Sequence, residues 1–150
     1  MSRKELGLYI DRTYKVVRKD LITRFNESGI DLTPEQWVVV SKLKAEGEMF
    51  QTDLANHSFR DKPTVSRIID LLARKKIVKR TSDKQDGRRF IISLTAEGED
   101  LVKEALPVVE ASREQGWTDL SEDEYQLMVK VLDKIFVNYS SEHESLNSNH

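Results

Sequence analysis

Thr64, Ser66 and Arg67 fall within one helical turn and carry the groups best suited to recognition in this chain. A guanidinium is a planar fork of donors that can engage two acceptors at once, and hydroxyls can serve bases or phosphates. Further on, Lys84-Gln85-Asp86-Gly87-Arg88-Arg89 is a second basic group, short and without apolar support. No comparable set points to catalysis. There is no nucleophile–base pair, no phosphate-binding glycine loop and no metal motif, so an enzyme is not expected. The chain has no cysteine, which excludes disulfides, thiolate zinc sites and cysteine redox switches. His57, His143 and His150 are scattered and form no ligand spacing, so no cofactor or metal is expected.

Charge is distributed unevenly. Between Arg60 and Phe90, eleven Lys/Arg stand against four Asp, a net of +7 in a chain whose total is −2. From Glu97 onward, thirteen acids and four bases give −9. One basic segment in an otherwise acidic chain is a footprint for a polyanion, although charge alone fits a solvated helix face equally well.

The elements that must position these residues read as helices, one hairpin, then helices. Leu6, Ile10, Tyr14, Val17, Leu21 and Phe25 form one stripe of a helix over about 3–27, stopped by Gly29. Thr33-Pro34-Glu35-Gln36 is a capping box opening a second helix, with Trp37, Val40, Leu43 and the stem of Lys44 inward and Gly47 as its end. A short helix over 52–58 and the connection Phe59-Arg60-Asp61 lead to a fourth helix over 62–75, capped by Asp61. After Ile77 the hydrophobic period changes to two, and 78–82 and 89–94 read as strands joined by Asp83-Lys84-Gln85-Asp86-Gly87. Thr95 caps a long helix to Gly116, with a kink expected at Pro107. Ser121-Glu122-Asp123-Glu124 opens the last helix, whose stripe is Met128, Val131, Leu132, Ile135, Phe136 and Tyr139; residues 140–150 are expected to be a flexible tail. The fold class is mainly α with a small β-hairpin.

A short helix, a tight turn and a second amphipathic helix make a helix-turn-helix, in which the second helix enters the major groove of double-stranded DNA. With Val65, Ile68, Ile69 and Leu72 inward, the fourth helix turns Pro63, Arg67, Asp70 and Arg74 outward, flanked by Thr64 and Ser66. Asp70 stands three residues after Arg67 and four before Arg74, where it can orient either. The hairpin tip can lie along the backbone and insert an arginine into the minor groove, with Asp86 holding Arg88 extended. Read alone, the helix fits a solvated amphipathic face and the hairpin a charge-protected edge; together they favour a winged helix. The candidate DNA-binding set is Lys62, Pro63, Thr64, Ser66, Arg67, Arg74, Lys84, Asp86, Arg88 and Arg89. The alternative is a winged helix used as a protein-interaction module.

The segments LTPEQWVVVSKL (32–43), DLANHSFRDKPTVSRIIDLLARKKIVKR (53–80) and DGRRFIISLTAEGE (86–99) resemble the MarR family of bacterial regulators, and the likeness extends over about residues 5–139. It implies a winged helix-turn-helix over 33–94 on a helical dimerisation domain built from both chain ends, 3–28 and 95–139. It implies a homodimer on a pseudo-palindromic operator, acting as a repressor released by a small-molecule effector. It implies that Thr64, Ser66 and Arg67 read the major groove and that Asp86 and Arg88 pair at the wing tip, with Arg88 in the minor groove. Three departures from the family's pattern stand out: Ser58-Phe59 and Lys76, where glycine is common, and Leu71, where a basic residue is common.

The outer helical stripes can pack within one chain or across a two-fold axis, and the resemblance favours the dimer. Tyr9, Tyr14, Trp37 and Trp117 can line a cavity, but plain core is the better reading, so no ligand residues are assigned. No apolar run approaches the ~20 residues of a membrane span, and the opening MSRKELGLYIDR puts charges where a signal peptide needs an apolar stretch. A cytoplasmic, nucleoid-associated location is expected, with no membrane partner.

Overall fold

The computed structural model describes residues 3–58 and 61–147, with side chains described to residue 140. The connection at Phe59 and Arg60 lies outside the described residues. Among the described residues, six helices and three short strands follow in the order α1 (Leu6–Glu27), α2 (Pro34–Glu46), β1 (Met49–Phe50), α3 (Gln51–Ser58), α4 (Lys62–Arg74), β2 (Val78–Ser82), β3 (Phe90–Leu94), α5 (Ala96–Gly116) and α6 (Glu122–Asn147). The chain divides into two compact units, one up to Arg113 and one from Glu114 onward.

In the first unit the helix boundaries follow local chemistry. Thr33 Oγ1 accepts from Gln36 N at 3.1 Å while the Gln36 side chain accepts from Thr33 N, so the expected capping box is formed. Gly29 and Gly47 take positive φ at the ends of α1 and α2. Only the C-terminal part of the α1 stripe is covered. Phe25 is fully buried and meets Trp37 edge-on, with ring centroids 6.5 Å apart, whereas Leu6, Ile10, Tyr14 and Val17 remain exposed. Arg18 grips Glu35 through two hydrogen bonds, at 2.6 and 3.1 Å, which raises the guanidinium pKa further. Asp20 accepts from Ser112 Oγ at 2.7 Å and Arg24 Nε at 2.8 Å, joining α1 to α5 and holding its carboxyl below the ordinary range.

The core of the first unit draws Val39, Val40 and Leu43 from α2, Leu54 from α3, Val65, Ile69 and Leu72 from α4, and Ile92 from β3. Lys44 is not part of it; its ammonium reaches Glu99 at 2.5 Å. The sheet has the order β1-β3-β2, both pairs antiparallel, with Val78 opposite Leu94, Ser82 opposite Phe90 and Met49 opposite Ile92. β1 was not legible from the sequence; it makes β3 the middle strand.

The junction from α4 to α5 is tight. Lys76 takes φ +62 after α4, in the left-handed conformation that glycine adopts more easily. Thr95 caps α5 by accepting from Gly98 N at 3.0 Å, and its hydroxyl lies 2.6 Å from Lys76 O. α5 runs unbroken through Pro107.

In the second unit, Ser121 and Glu124 form the expected reciprocal cap of α6. Trp117 packs edge-on against Tyr125, with centroids 5.2 Å apart. Leu127, Val131, Phe136 and Tyr139 are exposed along α6, which continues past Tyr139 to Asn147.

Candidate nucleic-acid interface

α4 is amphipathic in the way its sequence dictates. Val65, Ile69 and Leu72 are shut off from solvent, and Lys62, Pro63, Arg67 and Arg74 are exposed on the other side. Thr64 and Ser66 are half-buried at the margin of that face. Asp61 fixes the start of the helix: its Oδ1 accepts from Thr64 N at 2.7 Å, and that backbone bond holds its carboxyl below the usual range. Arg67 Nη2 donates to Thr64 Oγ1 at 3.3 Å, so two of the expected reading residues already touch. Leu71, 46% exposed, continues their row one turn further along.

Asp70 does not orient Arg67 or Arg74. Its Oδ1 instead pairs with Arg80 Nη1 from β2 at 2.7 Å. The expectation failed because i,i+3 and i,i+4 spacing counts only neighbours on the same helix, and β2 supplies a closer cation.

The wing tip also differs in detail. Asp86 Oδ1 accepts from the backbone N–H of Arg88 at 3.0 Å, and Arg89 N donates to Asp86 O at 3.0 Å. The aspartate thus shapes a turn in the backbone, rather than holding the Arg88 side chain extended. Asp83 N donates to Arg89 O at 2.8 Å and closes the hairpin, leaving Lys84, Arg88 and Arg89 exposed. The Arg89 guanidinium lies 3.6 Å from the centre of the Phe50 ring, a cation–π contact with β1. No periodicity in the sequence points to this contact, because β1 contributes only two residues.

Fold and wing meet at one hollow of about 210 Å3, lined by Phe50, Thr52, Lys62, Arg88, Arg89 and Phe90. It brings the first residue of α4 beside two wing arginines that lie far from it in sequence. Cations so grouped can neutralise backbone phosphates, and an exposed arginine in the outward face of α4 can meet base edges.

A helix pair, a basic outward-facing second helix and a basic hairpin on a small antiparallel sheet define a winged helix-turn-helix protein. The MarR family model matches residues 32–90, the winged-helix region of this chain. Among its relatives, the transcriptional regulator HosA of Escherichia coli O157:H7 is 29% identical over 105 residues, covering 70% of this chain and 78% of HosA. Regulator FarR of Neisseria gonorrhoeae is 32% identical over 89 residues, covering 58% and 61% of the two chains. Bordetella bronchiseptica BpsR, whose DNA binding is regulated by 6-hydroxynicotinic acid, superposes with a TM-score of 0.80 at 25% identity, covering 90% of this chain and 95% of BpsR. The curated relatives are transcriptional regulators rather than enzymes. Among the described residues no helix is long and apolar enough to cross a membrane.

Proposed function

We propose that the chain acts as a homodimer on a pseudo-palindromic DNA operator, as a repressor released by a small-molecule effector. Thr64, Ser66 and Arg67 read the major groove, with Lys62, Pro63 and Arg74 beside them. Lys84, Asp86, Arg88 and Arg89 form the wing contact, with Arg88 in the minor groove. The observation that carries this reading is the shared hollow: Lys62 at the start of α4 and Arg88 and Arg89 of the wing line one space, so reading helix and wing offer their charge together. The exposed apolar residues of α1 and of α6 support dimerisation through 3–28 and 95–139. Pairing these faces in two copies would bury them and set two reading helices about one DNA turn, roughly 34–36 Å, apart. The effector follows from likeness to BpsR.

Mobility shifts on genomic fragments selected by the protein, repeated over a salt series, test the proposal. Affinity should fall steeply with salt as phosphates are neutralised. Arg67→Ala should cost about 1–3 kcal/mol and relax base preference, whereas Arg88→Ala should weaken binding with less effect on preference. If both variants bind like the parent, the assigned surface is wrong. Absent binding to any duplex would leave the protein-interaction reading.

A further inference from the structure

Asp70 is the one acid in α4 and is half-buried at its flank. Its position relative to Arg67 and Arg74 puts its carboxylate within reach of both on the helix surface. A carboxylate free to swing there would compete with DNA for the guanidinium of Arg67. Arg80 answers this problem. It reaches from the middle of β2, pairs with Asp70 at 2.7 Å, and lies 5.4 Å from the centre of the Phe90 ring at the start of β3. Its Nε and Nη2 are buried and make no hydrogen bond among the described residues, while its Nη1 pairs with Asp70. The pair is partly exposed, with side-chain accessibilities of 26% for Arg80 and 45% for Asp70. Such a pair contributes little to stability. Its effect lies in where it directs the carboxylate.

We propose that Arg80 is a positioning residue for DNA reading: it draws the Asp70 carboxylate away from Arg67 and Arg74 and ties the root of the wing to the reading helix. This rests on the DNA-reading function proposed above. Arg80 need touch no base. It keeps Arg67 available to guanine while Thr64 Oγ1 steadies the same guanidinium at 3.3 Å, and it sets the wing's first paired residues against α4.

The test is a double-mutant cycle on the full chain, using a duplex selected by the parent from a random pool and a shuffled duplex of equal composition. Arg80→Ala should lower affinity for the selected duplex roughly tenfold and narrow the gap between the two duplexes, the size expected from losing one bidentate base contact. Asp70→Ala should bind both duplexes more tightly, since an anion leaves a face offered to phosphates. Arg80→Ala combined with Asp70→Ala should regain most of the lost affinity, and Arg80→Lys should lose less than Arg80→Ala. Melting curves of each variant report folding separately. If the double variant binds no better than Arg80→Ala, or Asp70→Ala binds more weakly than the parent, the inference is overturned. If the parent itself prefers neither duplex, the DNA-reading function falls first.

Discussion

Gly98→Ala should destabilise the protein far more than a single methyl group suggests. Gly98 sits in the first turn of α5, where a Cβ built on its backbone would lie 2.1 Å from Ile77 O, 3.1 Å from Ile77 C and 3.2 Å from Leu94 Cδ2. Carbon contacts are favourable only from about 3.5 Å, so helix or strand must move by more than ~1 Å. The obstructing atom is backbone, and it cannot rotate aside. The same Ile77 carbonyl accepts from Thr95 N at 3.0 Å and faces Thr95 Oγ1 at 3.1 Å, so displacing it strains the cap of α5 as well. Overpacking of this kind costs about 1–3 kcal/mol. Weakened hydrogen bonds add ~1 kcal/mol, and the better helix propensity of alanine returns ~1 kcal/mol. The net is a loss of about 1–3 kcal/mol, or a fall in Tm of roughly 2–12 °C for a chain of this size. Circular dichroism melts at one fixed protein concentration measure it. Gly116→Ala is the control: nothing lies within 4 Å of its built Cβ, so it should be neutral or stabilising by up to ~1 kcal/mol. If Gly98→Ala melts with the parent, the close approach of α5 to Ile77 is not a feature of the folded protein.

Two further outcomes follow from the same regions. Lys76→Gly should raise Tm by about 2–4 °C, because φ +62 at Lys76 disfavours a Cβ; an unchanged or lower Tm would refute the left-handed junction. Asp20 titrates below the ordinary carboxylate range because the Ser112 hydroxyl and the Arg24 guanidinium donate to its ionised form. Its contribution is therefore fully present above the unfolded pKa near ~3.9 and is lost as pH falls through the folded value. Urea midpoints of parent and Asp20→Asn should differ at neutral pH and converge in acid; a gap that persists at low pH would contradict this.

The parts of this protein that were legible in the sequence are those fixed by neighbours. Thr33 with Gln36, Asp61 with Thr64, Ser121 with Glu124, and Gly29 as a stop are decided within four residues, and each appears as expected. The inward face of α4 followed from spacing alone. What escaped depends on distant strands. Asp70 finds Arg80 across the gap between α4 and β2, Arg89 finds the ring of Phe50, and two-residue β1 has no period to detect. The α1 stripe was visible, but its spacing does not reveal that coverage stops near Leu21 while Leu6 to Val17 stay in solvent.

The pairing of β1 with β3 bears on how the head assembles. Met49 faces Ile92 and Phe50 faces Ile91, so α3, α4 and β2 are enclosed in a chain loop that closes only when its two ends meet. Closing it costs chain entropy before the pairing returns any stabilisation. The hairpin of β2 and β3, joined by a short turn, can form earlier and offer β3 as the template on which β1 docks. A fragment beginning at α3 would therefore keep that hairpin but lack β1, the strand that completes the sheet.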